Sequence, residues 1–310
     1  MTNLRQPPPL TGLHLLLTYQ CTFECDHCFA WGSPKQSGTF TLANLRQALT
    51  QATELGTVET IYFEGGEPFL YYAALLKAVQ AAHQLGFKVG LVSNAYWATS
   101  TEDALEWLRP MAGLLADLSI SSDLYHYDEM MSRQARNACT AAEMLGIPFG
   151  TISIAPPESP EVRASTGQIP AVTLEEEGST IMYRGRAACN LAPKAALQPW
   201  EIFRDCPYEN LASPGRLHLD PLGNLQICQG ICLGNLFDRP LAEIWGDFRP
   251  LEHPILGPLL EGGPAELARR YQLPHQDGYA DACHLCYEMR LQLRQRFPEI
   301  LGPDQMYGVF

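Results

Sequence analysis

Short β-rich runs alternate with longer helical patterns across most of the first two thirds of this chain, with turn residues between them. The spacing predicts strands at 13–18, 57–63, 87–92, 118–121, 147–154 and about 180–183. Helices are expected at 42–55, 71–85, 102–108, 128–145 and near 193–203. A parallel strand needs a crossover before its next neighbour, so repeated βα units imply a parallel sheet with helical cover. About six such units close only partly into a barrel, and the working face of that α/β architecture is the carboxyl ends of the strands. Residues 155–172, rich in proline and small polar residues, read as a loop or a shortened unit. Past residue 205 the pattern changes to a hairpin over 215–228 with its turn at Asp220-Pro221-Leu222-Gly223-Asn224. A helix at 241–248, a Pro/Gly-rich linker at 250–264 and a final helix after Cys286 complete the chain. The expected division is a tail (1–12), a barrel (13–204) and a small carboxyl-terminal domain (205–310).

Charge removes some function classes. Against 34 Asp+Glu stand only 21 Lys+Arg, a net charge of −13 over 310 residues. That balance gives no attraction to phosphate backbones or anionic lipid, so no nucleic-acid or membrane partner is expected. No apolar run approaches the roughly 20 residues of a membrane-spanning helix. The first ten residues are polar and proline-rich, and the next apolar run is broken by His14, so no secretion signal is read and a cytoplasmic location is expected. In that reducing compartment clustered cysteines point to metal or redox chemistry rather than disulfides.

The ten cysteines do cluster. Cys21, Cys25 and Cys28 follow the first strand, on a loop at its carboxyl end. Three thiolates at this spacing can wrap a cubane iron–sulfur cluster and leave one iron open for a ligand. A structural zinc site, closed by His27 or His14, is the other reading of the triplet. Glu64-Gly65-Gly66-Glu67-Pro68 ends the second strand, where glycines permit close backbone approach and a carboxylate can accept from an ammonium group. Ser93-Asn94 ends the third. After the fourth come Ser121, Asp123 and His126, where a carboxylate or imidazole faces the barrel mouth or caps the next helix. Arg133 follows, to pair with a cofactor carboxylate or to sit solvated.

These strand-end signals together resemble the radical S-adenosylmethionine superfamily, over about residues 13–183. The resemblance implies a partial (β/α)6 barrel in which Cys21, Cys25 and Cys28 hold a [4Fe–4S] cluster whose open iron is chelated by S-adenosylmethionine. By motif, Gly65, Gly66 and Glu67 would meet the methionine amino group, and Ser93, Asn94 and the Ser121/Asp123 region would face the ribose. His27 stands where the family usually places an aromatic residue beside the adenine. The implied chemistry is one-electron cleavage of the sulfonium to a 5′-deoxyadenosyl radical that takes hydrogen from a substrate. It requires a flavodoxin- or ferredoxin-type electron donor.

The last third is similar to the SPASM and Twitch extensions of that superfamily. Cys206, Cys228, Cys283 and Cys286 would hold one auxiliary [4Fe–4S] cluster; a zinc ribbon is the alternative for the same thiols. Cys232 is left over, as a fifth ligand, a buried filler, or the hydrogen-atom donor that radical peptide epimerases place near their auxiliary cluster. Tyr183-Arg184-Gly185-Arg186 resembles a motif near the last barrel strand of SPASM-type enzymes, while Cys139 and Cys189 read as structural. The resulting expectation is a radical enzyme that tailors a ribosomally made peptide by epimerisation, side-chain oxidation or cross-linking. A radical dehydrogenase of a small polyol or amino sugar, or a non-catalytic iron–sulfur or zinc module, are the other classes. Peptide-tailoring relatives often carry a leader-binding domain before the barrel, and a first strand near Leu13 leaves no room for one.

Overall fold

Local capping signals set the first helix. The Thr41 hydroxyl accepts from the Asn44 N–H, and Gly56, at φ +76°, closes α1 (Leu42–Leu55) in the left-handed conformation. Leu45, Ala48, Leu49 and Ala52, three and four residues apart, form the buried stripe of α1. The computed structural model describes residues 7–128, 131–154 and 181–310. In chain order, β1 (Gly12–Thr18), α1, β2 (Thr60–Gly65), α2 (Tyr72–Gln84), β3 (Lys88–Ser93), α3 (Thr101–Leu108), β4 (Leu115–Ser121), α4 (Arg133–Met144) and β5 (Phe149–Ile152) make the βα succession that the periodicity predicts. Strands β1 to β5 all pair in parallel. Leu13, Leu15, Leu16 and Leu17 on β1 are all buried, the near-continuous apolar run of a strand covered on both faces.

The carboxyl-terminal part follows as α5 (Arg186–Asn190), β6 (Gln198–Pro199), β7 (Arg216–Leu219), β8 (Asn224–Cys228), β9 (Ile231–Asn235), α6 (Leu241–Gly246), α7 (Leu256–Tyr271), β10 (Gly278–Tyr279) and α8 (Ala282–Leu293). The main sheet has the order β5-β4-β3-β2-β1-β7-β8-β9, and β6 pairs with β10 separately. The hairpin therefore continues the large sheet: β7 lies parallel to β1, with His14 opposite His218, and β8 and β9 add antiparallel strands. The Asp220 carboxylate accepts from the Leu222 and Asn224 N–H groups, which fixes the turn at the hairpin tip.

Three expectations are corrected. No strand forms at 181–183; Thr180, like residues 155–179, lies outside the described residues, and the free edge of β1 is taken by β7 instead. The helix expected near 193–203 is replaced by short 3₁₀ turns at Ala192–Lys194 and Trp200–Ile202 on either side of β6, because Pro193 and Pro199 interrupt the helical hydrogen bonds. The linker expected at 250–264 gives way to α7 from Leu256 on. Its Gly262 and Gly263 kink α7, Gly263 at φ +66°, and Pro264 starts the second half, a first-turn position that needs no N–H donor.

Candidate functional site

The loop after β1 is tied down before it presents any chemistry. The Cys21 N–H donates to the Ser33 carbonyl and the Cys28 N–H to the Cys25 carbonyl, both at 3.1 Å. From the start of α5, the buried Arg186 guanidinium donates to the carbonyls of Cys25 (2.7 Å) and Gly32 (2.9 Å), while its N–H bonds the Cys28 carbonyl. Gly185 makes this approach possible: its φ is +59°, and a Cβ there would lie 2.6 Å from the Phe29 carbonyl oxygen.

The loop faces a cleft at the carboxyl ends of β2 to β5. Cys21, Cys25, Cys28, Gly66, Asn94 and His126 line it, together with His27, Gly65, Ser93 and Ser121. Burial pushes the Cys21 thiol up to about 12, and burial with the neighbouring thiols raises Cys25 further. Thiols so placed give up their protons to a metal rather than to water. Donors already aim at the sulfurs: Gly32 N–H at Cys28 Sγ (3.2 Å), Phe23 N–H and Asn94 Nδ2 at Cys21 Sγ (both 3.5 Å). Among the described residues, the trios whose ligand atoms all lie within 4.8 Å of one another are His14, Glu64, His218 and His27, Asp123, His126. The cysteine triplet is more open than that, whereas tetrahedral zinc draws sulfurs to about 3.8 Å. Three thiols on one loop facing an open cleft match the donor set of a cubane cluster with one iron left open, and His14 and His27 each belong to a trio that contains no thiol.

The two glycines of the second strand end serve the chain's own packing. A Cβ on Gly66 would overlap the Gln20 carbonyl oxygen, and Gly65, at φ +128°, sits against the Thr18 carbonyl. Glu67 is fully buried, and its oxygens accept from the Phe69 N–H (3.1 Å), the Ser93 hydroxyl (3.0 Å) and the Asn94 N–H (2.8 Å). It ties the end of β2 to the end of β3 and leaves Asn94 to reach Cys21. Asp123 is likewise buried and accepts from His126 Nδ1 at 2.7 Å, which fixes the imidazole that lines the cleft. His27 packs its ring on Tyr125 and His126. Arg133 is exposed in the first turn of α4.

At the cleft wall, Glu64 stands between His14 Nδ1 (3.2 Å) and His218 Nε2 (3.4 Å). Burial alone would raise the Glu64 carboxyl, but the two imidazoles outweigh it and hold it below the usual carboxylate range.

A second set of thiols lies around a separate, narrow cavity. Cys206, Cys228 at the end of β8, and Cys283 and Cys286 on the first turns of α8 line it, with Arg184 and Arg290. Cys283 and Cys286 share one helix face because they are three apart, and Arg290, four further on, falls on the same face. Again no three thiols lie within 4.8 Å of one another. Burial raises the Cys206, Cys283 and Cys286 thiols and, apart from the set, the Cys232 thiol. Cys232 is buried on β9, and its thiol donates to the Gly302 carbonyl at 2.9 Å. Arg184 joins the two cavities, its guanidinium over the Phe29 ring of the cleft and its Nη1 on Cys228 Sγ. Sequence reasoning did not find Arg290, although its i, i+4 and i, i+7 spacing from the two cysteines was the available signal, nor the Glu64 trio, whose members come from three separated strands.

Comparison with known proteins agrees with this geometry. Residues 15–163 match the Radical SAM superfamily model. YydG of Bacillus subtilis (strain 168), named for peptide biosynthesis, is 30% identical over 122 residues, 39% of this chain and 38% of YydG. An S-adenosylmethionine-dependent nucleotide dehydratase of Fibrobacter sp. (strain UWH6) is 24% identical over 118 residues, 36% of this chain and 33% of that protein. The matched stretches thus span well under half of these relatives. The crystal structure of Streptococcus suis SuiB bound to its precursor peptide SuiA superposes with a TM-score of 0.53 over 89% of this chain and 76% of SuiB, at 14% identity, a likeness of fold. The α/β fold and the strand-end cleft with its three thiols thus coincide with a stretch, residues 15–163, that matches the Radical SAM superfamily model over just under half of the chain.

Proposed function

We propose that this chain is a radical enzyme that tailors a peptide, with a [4Fe–4S] cluster on Cys21, Cys25 and Cys28 and a single auxiliary cluster on Cys206, Cys228, Cys283 and Cys286. The observation that carries the reading is the pairing of two thiol-lined cavities in one chain, one at the strand ends with three thiols and one with four. The similarity to YydG favours a peptide over a small polyol or amino sugar as substrate. When bound, the open cluster and S-adenosylmethionine supply a carbon radical that removes hydrogen from the substrate.

The chain's own residues then do three things. Arg186, Gly66 and Glu67 hold the cluster loop and the ends of β2 and β3 in register. Asp123 fixes the His126 imidazole at the cleft wall, and the apolar side chains of Phe23, Ile152 and Ile154 exclude water. Cys232, on β9, is assigned as the hydrogen donor of an epimerisation: it holds its thiol proton, donated to the Gly302 carbonyl, and it lies outside the lining of both cavities, so it would have to turn toward the substrate to act. The reconstituted enzyme, supplied with S-adenosylmethionine, a low-potential reductant and peptides in heavy water, is expected to form 5′-deoxyadenosine in a peptide-dependent way. It should place one deuterium at an inverted α-carbon, and Cys232→Ala should abolish that incorporation. An oxidised or cross-linked product without deuterium at an α-carbon would remove the epimerase assignment; turnover of small polyols but of no peptide would remove the peptide reading.

A further inference from the structure

The cavity of the second thiol set contains more positive charge than its surroundings balance. Arg184 and Arg290 are only 7% and 1% exposed. Among the described residues no carboxylate comes within 4.0 Å of either guanidinium. The two nearby acids are engaged elsewhere: Glu209 pairs with Arg216 at 3.2 Å, and Asp281 accepts from the His284 and Tyr183 N–H groups. Arg184 Nη1 donates to Cys228 Sγ at 3.2 Å. Arg290 Nη1 donates to the Gln229 carbonyl (2.7 Å) and approaches the Tyr307 hydroxyl (3.4 Å), while its Nε is buried without a partner. A buried cation is kept only where something negative or strongly accepting offsets its desolvation. Carbonyls and phenol rings offset part of it, and neutral thiols add little.

Four thiolates around an oxidised cubane core with two positive charges leave two net negative charges, which two guanidinium groups offset. One added electron leaves three negative charges in the same low-dielectric wall, where fixed cations favour the reduced form. We propose that Arg184 and Arg290 are the counter-charges of the auxiliary cluster and hold its reduction potential up, so that this cluster accepts an electron readily. The inference rests on the auxiliary cluster proposed above. The step is a one-electron transfer from an external low-potential reductant into the cluster core; no bond forms or breaks and no proton moves.

The test is an anaerobic redox titration with dithionite, followed by electron paramagnetic resonance, on the full chain with Cys21, Cys25 and Cys28 replaced by Ala. Only the second set then contributes a signal. At the potential where that protein is half reduced, Arg184→Met and Arg290→Met should each lower the ratio of reduced to oxidised cluster about tenfold, a midpoint shift of about 59 mV. Arg184→Lys, which keeps the charge, should restore most of it. A loaded cluster whose midpoint is unmoved in both Met variants overturns the arginine assignment and leaves the cluster reading intact. Absence of iron in the parent protein overturns both. Should a Met variant take up no iron, loading of Arg184→Lys supports the counter-charge, and failure of the Lys variant as well overturns it.

Discussion

Arg186 offers the sharpest test of how the cluster loop is held. Its guanidinium, 4% exposed, makes two charge-assisted bonds, to the Cys25 carbonyl at 2.7 Å and the Gly32 carbonyl at 2.9 Å. Bonds of this kind contribute about 1.5–3 kcal/mol each, so Arg186→Met should cost about 3–6 kcal/mol, leaving the Gly32 carbonyl without its guanidinium donor and the Cys25 carbonyl with the Cys28 N–H alone. Arg186→Lys keeps the charge but presents a single ammonium that reaches one carbonyl, and roughly half of that loss is expected. Urea unfolding of the metal-free chain under anaerobic conditions reads both values, and iron uptake by Cys21, Cys25 and Cys28 should fall in the same order. If both variants unfold within about 1 kcal/mol of the native chain and load iron normally, the loop is held by something other than this clamp.

Gly66→Ala forces a Cβ onto the Gln20 carbonyl, so it should prevent iron binding at the first thiol set while leaving the second loaded; iron content measured set by set decides it. His253 is held near pKa 4 by burial and accepts from the Ile255 and Leu256 N–H groups at the start of α7. Its folded value lies below the unfolded one of about 6.5. The unfolded chain therefore binds the extra proton, and stability is lost as pH falls from about 6.5 through 4, by up to about 3 kcal/mol. His253→Asn should flatten that part of a stability–pH curve, and an unchanged slope would place the titration elsewhere. Asn94→Ala removes the side-chain donor to Cys21 Sγ but not the backbone N–H that holds Glu67. It also removes the side-chain bonds to Thr22 Oγ1 and from the Tyr96 N–H, so a loss of about 1–3 kcal/mol in urea unfolding should accompany a lowered potential of the first cluster; an unmoved potential in the iron-loaded variant would remove Asn94 from that cluster's surroundings.

What the sequence made legible follows from which interactions are local. The α1 boundaries were readable because Thr41 and Gly56 cap the helix within its own turns. The first five strands were readable because β-branched and leucine-rich runs alternate with helical stripes. The partner of the free β1 edge was not, because β7 enters more than two hundred residues after Leu13, and no local pattern fixes such a pairing. The thiol sets were visible as spacings, whereas their buried cations were not. Arg290 reads as an ordinary helix arginine until α8 turns it onto the Cys283–Cys286 face. Glu67 illustrates the opposite case, a residue whose motif was legible but whose bonds to Ser93 and Asn94 depend on β2 and β3 ending side by side.

The central claim, two iron–sulfur clusters on two thiol sets, is tested most directly by iron and acid-labile sulfide per chain after anaerobic reconstitution, for the native protein and its Cys21/Cys25/Cys28→Ala variant. The account predicts about eight irons falling to about four. About four falling to none would contradict it and leave Cys206, Cys228, Cys283 and Cys286 without a cluster.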